Sequence, residues 1–290
     1  MAEHVTELVT LSTASNSRAR LRSLIIPREH GAWGMLLVPL ATGAAIGLLA
    51  GGRILPLPLL VVATLAIFWM RTPVESWLGT SPIRAQSDDE RSSVMRAIIA
   101  LAVIASIALA GLFWGGQNTD LFALGVIAGL AFLLQMGLKK FGRETRVLAQ
   151  VVGAISLTST APAAYCVVVG RLDASAFLVW LSNWLFAVNQ IQFVQLRIHS
   201  ARVIGVIQKL PRGQAFLLTQ LAAGTTLLLM WRTRMLPGLA LFAFVPAWLR
   251  SLAWFVRPSG PLVVRHLSWT ELAHNLTFGI LLVIGFCCHT

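Results

Sequence analysis

Nine continuous apolar runs, each close to the roughly 20 residues a helix needs to cross a hydrocarbon core, constrain this chain more than any other feature. They cover residues 31–50, 54–70, 97–116, 121–138, 147–170, 174–196, 213–231, 235–256 and 272–288. Barrel strands are shorter and alternate polar with apolar side chains, so these runs predict an all-α fold, a polytopic membrane helical bundle of about nine transmembrane helices. Composition agrees: 57% hydrophobic against 12% charged residues, with a mean hydropathy of +0.76, is outside the range of soluble domains. Residues 1–24 read as a cytoplasmic polar and basic tail, and 25–290 as a single transmembrane domain. The tail shows no secretory signal or lipidation motif, so the first span is expected to direct insertion.

A net charge of +12 raises the question of nucleic acid, and the distribution of that charge answers it. With the N-terminus in the cytoplasm, 19 of the 23 basic residues fall on inside segments, leaving Arg53, Arg171, Arg232 and Arg234 outside. Positive charge therefore reads as topology, with a cytoplasmic N-terminus, an external C-terminus and no nucleic-acid partner. Tryptophans agree: Trp33, Trp69, Trp77, Trp248, Trp254 and Trp269 fall near the inner ends of the runs, Trp114 and Trp231 near the outer ends. Cys166, Cys287 and Cys288 lack metal-ligand spacing and read as packing residues.

The stretch from Pro27 to Gly34 carries Arg28, Glu29 and His30 straight into the first apolar run. Ionisable groups there are costly against lipid, so they are expected to face other helices or a wet cavity, unless they form only a basic juxtamembrane anchor. Gly31 and Gly34 are expected to thin this helix for a close neighbour. The string PREHGAW followed by MLLVP resembles the opening signature of the YwiC-like family of bacterial multi-pass membrane proteins, and residues 195–202 are similar to that family's basic loop. This resemblance implies a multi-pass protein of the bacterial inner membrane. Family, length and helix count are together similar to the nine-helix UbiA prenyltransferases, which implies a UbiA-like arrangement.

The UbiA resemblance implies two aspartate motifs that hold magnesium and a diphosphate, and neither is present. At the end of the second run stand Arg71 and Glu75, and a lone glutamate is a poor magnesium site. In the sixth run amides stand where the second motif would be: Asn183, Asn189, Gln190, Gln192 and Gln195, followed by Arg197. These read equally as interhelical glue or as ligand contacts. Asp88, Asp89 and Glu90 follow Ser87 with capping-box spacing and predict a helix start. No metal site and no cofactor are expected. In the fifth run Pro162 follows Ser156, Thr158, Ser159 and Thr160, which predicts a kink that either lines a cavity or packs.

The eighth run ends with Arg250 inside the helix, and the ninth begins with Glu271, His274 and Asn275 on one face. Glu-x-x-His can bind metal in bundles, but a single copy lacks its matching set. On the expected topology, Arg28, Glu29, His30, Arg71, Glu75, Asn189, Gln192, Arg197, Arg250, Glu271, His274 and Asn275 share the cytoplasmic third of the membrane. Their clustering predicts a cytoplasm-facing pocket for membrane lipids, with an isoprenoid or other anionic-headed lipid as partner, bound or modified. A small-solute or proton-coupled transporter and a non-catalytic assembly protein stay as alternatives, although no internal repeat supports transport.

Overall fold

The computed structural model of this protein describes residues 20–26, 30–81, 83–116, 119–142, 144–200, 205–256 and 264–288, without the side chains of His30, Val206 and residues 264–266. Its elements are α1 (His30–Leu49), α2 (Leu57–Trp77), α3 (Asp88–Trp114), α4 (Thr119–Lys140), α5 (Arg146–Thr158), α6 (Thr160–Val169), α7 (Ala174–His199), α8 (Val206–Arg232), a 3-10 stretch (Gly238–Phe244), α9 (Val245–Val256) and α10 (Val264–Cys287). Nine spans among the described residues are long and apolar enough to cross a membrane, in register with the nine apolar runs. The fifth combines α5 and α6, and the eighth combines the 3-10 stretch with α9.

The described residues pack as two compact units, one drawn from 20–26 and 58–116, the other from 30–57 and 119–288. In the first, residues 20–25 form a helical segment that packs on α2, although hydropathy assigns 20–24 to the tail. Leu24 is buried, the Trp69 indole N–H donates to the Ile25 carbonyl (3.1 Å), and the Ser76 hydroxyl donates to the Leu24 carbonyl (3.2 Å). The helix start at Ser87 is as expected: its hydroxyl accepts from the Glu90 N–H at 3.2 Å. The Glu90 carboxylate reaches back to the Gln86 N–H (2.8 Å) and pairs with Arg20 (2.5 Å), so this acid ties the 20–25 segment to α3.

In the second unit α1 lies against α6 on one side and α10 on another. Gly43 sets the first contact, because a Cβ there would stand 2.0 Å from the Ala161 carbonyl oxygen. Gly47 sits one turn further on, against Val168 and Tyr165, so Gly43-x-x-x-Gly47 forms a groove that admits the α6 backbone. Gly34 makes the expected close approach, at Asn275 of α10, whereas no described atom comes within 4 Å of a Cβ on Gly31. Phe186 of α7 stacks on Phe278 of α10, with Phe244 edge-on to Phe278, and this aromatic centre fixes α7, the 3-10 stretch and α10 together. Where the kink is predicted, the span is interrupted at one residue, Ser159, between α5 and α6, and Pro162 follows; Ser159 itself keeps helical dihedrals. Hydroxyls satisfy backbone there, with Thr158 donating to the Ala154 carbonyl (2.7 Å) and Thr160 to the Leu36 carbonyl of α1 (3.1 Å).

Candidate functional site

The site grows from Arg250, which α9 carries about one and a half turns from its end and directs into the second unit. Its Nη1 donates to Glu271 Oε1 of α10 at 2.6 Å, its Nη2 donates to Gln190 Oε1 of α7 at 3.0 Å, and its guanidinium lies 4.1 Å from the Phe193 ring centre. One cation thus joins three helices through an ion pair, an amide and an aromatic face. Glu271 and Gln190 are buried, and the network is incompletely satisfied: Arg250 Nε, Glu271 Oε2 and Gln190 Nε2 have no partner among the described residues. Arg197, in the last turn of α7, is half-buried and close enough to act electrostatically on both Arg250 and Glu271.

A second layer joins this network to a groove. The Asn189 amide of α7 donates to the Gln220 side-chain oxygen of α8. Phe193 packs on Phe216 (6.1 Å between centres), which stacks with Phe255 (6.3 Å), and Phe216 and Phe255 then line a groove of about 490 Å³ between α8 and α9. The remainder of that groove is formed mainly by Gln220, Gly224, Leu228 and Trp248. At the start of α8, Lys209 is wholly buried: its ammonium donates to the Trp254 carbonyl at 2.6 Å and stands 4.6 Å above the Trp254 ring. A cation at the last carbonyls of α9 is stabilised by the helix dipole.

Of the residues singled out in the sequence, the structure brings Arg250 and Glu271 into contact. Asn189 adjoins them through Gln220 rather than facing a ligand, and Gln192 is half-buried with its side-chain oxygen unpartnered. His274 turns its Nδ1 to the Thr270 carbonyl of its own helix (2.7 Å), and Asn275 packs at Gly34. Arg71 and Glu75 pair with each other at 3.0 Å within α2, in the first unit. Arg28, Glu29 and the side chain of His30 lie outside the described residues. Several amides act as interhelical glue: Asn183 donates to Thr42 of α1 (3.1 Å) and Gln195 to Gln150 of α5 (2.9 Å). Sequence reasoning missed Gln190 as a ligand of Arg250, the role of Gln220, and the burial of Lys209, which it counted as a loop charge. For Gln190 a signal existed, since Gln190, Phe193 and Arg197 recur at i, i+3, i+7 on α7.

Fold and site define a multi-pass α-helical membrane protein with a buried, hydrogen-bonded charge network. Over residues 26–165 the chain is similar to the family described as YwiC-like protein. The match runs from the entry to α1 into α6, whereas Gln190, Arg250 and Glu271 all lie beyond it. No curated protein and no solved structure matches the chain, and the UbiA arrangement gains no support.

Proposed function

We propose that this protein binds an anionic-headed lipid, with an isoprenoid or acyl chain entering the groove between α8 and α9 from the bilayer. The observation that carries this reading is the junction of groove and charge network through Phe216 and Phe255. About 490 Å³ lies in the range of ligand-binding clefts, and the lining from Phe216 to Leu228 extends along about 18 Å of helix, enough for a tail rather than a small solute. Arg250 is already neutralised by Glu271, so the head group falls to Arg197, which has no ion pair among the described residues, and to the exposed Arg212. Each basic residue near a membrane surface contributes about 1 kcal/mol toward an anionic head group. Binding without prenyl transfer fits the amides and ion pairs that stand in place of both aspartate motifs.

Native mass spectrometry of the protein purified in mild detergent tests the reading. A retained lipid is expected, and Gly224→Phe, which fills the groove from a helix face that has room for it, should remove that lipid. Arg197→Ala should keep the tail but erase the preference for anionic over zwitterionic heads. Retention unaffected by Gly224→Phe would refute the groove as the binding site.

A further inference from the structure

Where α1 crosses the α5–α6 break, a cavity of about 10 Å³ is lined by Met35, Thr158, Asn183 and Asn275, with Phe186 and Phe278 on its apolar side. Two prolines bear on it. Pro39 has no N–H to give the Met35 carbonyl four residues earlier, and Pro162 has none for the Thr158 carbonyl. The two residues deprived of a helical donor are therefore residues that line the cavity. Asn183 is 2% exposed and uses its amide nitrogen on Thr42 Oγ1 (3.1 Å) and on the Val179 carbonyl (2.8 Å), which leaves its oxygen to accept. Asn275, 5% exposed, reaches the same place from α10, beside Gly34. Residues of α1, α5, α7 and α10 thus meet around this one cavity.

A volume near 10 Å³ is about one water-sized sphere, so nothing polyatomic fits. Among the described residues no charged side chain lines the cavity, and a divalent cation would call for carboxylates. Neutral oxygens beside an interrupted helix are a donor set that monovalent coupling ions use. We propose that this cavity is a sodium-ion site, with the Met35 and Thr158 carbonyls and the side-chain oxygens of Asn183 and Asn275 as its ligands. The site is independent of the lipid groove.

The test is thermal unfolding of the full chain in detergent at constant ionic strength, in sodium, potassium or choline chloride. The melting temperature should rise with the logarithm of sodium concentration, rise less in potassium and stay flat in choline. Pro39→Ala and Pro162→Ala return an N–H to each freed carbonyl and favour the helix, so both variants should fold while losing most of the sodium response. Asn275→Leu should lose it as well. Equal melting in sodium and choline would mean an ordered water only and overturns the assignment. A sodium response that survives all three substitutions places the ion elsewhere and overturns it equally.

Discussion

Arg250 is held by Glu271, Gln190 and the Phe193 face, so the stability of this region hangs on a few short contacts. Taking one charge of a buried pair away leaves the other uncompensated, at about 3–5 kcal/mol. Glu271→Gln should therefore lower thermal stability in detergent sharply, and Arg250→Met similarly. The double variant Arg250→Met with Glu271→Gln should be clearly more stable than the sum of the single losses predicts, because no orphan charge remains. Additive losses in that cycle would show the two groups to be energetically independent. Arg71→Met should likewise lower thermal stability, because it takes this cation from Glu75, which is as buried as Glu271.

At the scale of elements, helix contacts follow glycine placement. Gly43 meets backbone, not a flexible side-chain tip, so Gly43→Ala should push α1 from α6 and cost about 1–3 kcal/mol. Gly125 of α4 has the same G-x-x-x-G spacing with Gly129 but no described atom within 4 Å, so Gly125→Ala should be neutral or slightly stabilising. Melting curves of the two variants separate contact from mere motif. The apolar runs located every span, and Ser87 and Pro162 announced a cap and a break, because local chemistry decides such features. Span ends were less legible. Helix α3 starts at Asp88 rather than at 97, and α8 at Val206 rather than at 213, since helices continue through polar turns where hydropathy has already fallen. The pairing of Arg250 with Glu271 and Gln190 was not legible either: three helices must fold together before these side chains meet, and no spacing along one helix encodes that.

For the whole molecule, the basic asymmetry leads us to expect a cytoplasmic N-terminus and, with nine spans, an external C-terminus. A reporter fused after Thr290 should behave as an external tag, and a cytoplasmic signal would overturn the orientation.

Lys209 carries a consequence for solution chemistry. The chain has three lysines, Lys139, Lys140 and Lys209, and only the last is wholly enclosed, with its ammonium held between the Trp254 ring and carbonyl. An amine-reactive acylating reagent applied to the folded protein should modify Lys140, which is exposed, and spare Lys209. Mild heating or a groove ligand that parts the start of α8 from the end of α9 should bring Lys209 into reaction, so peptide mapping of that one nitrogen becomes a footprint of how tightly the lipid-facing pair is shut.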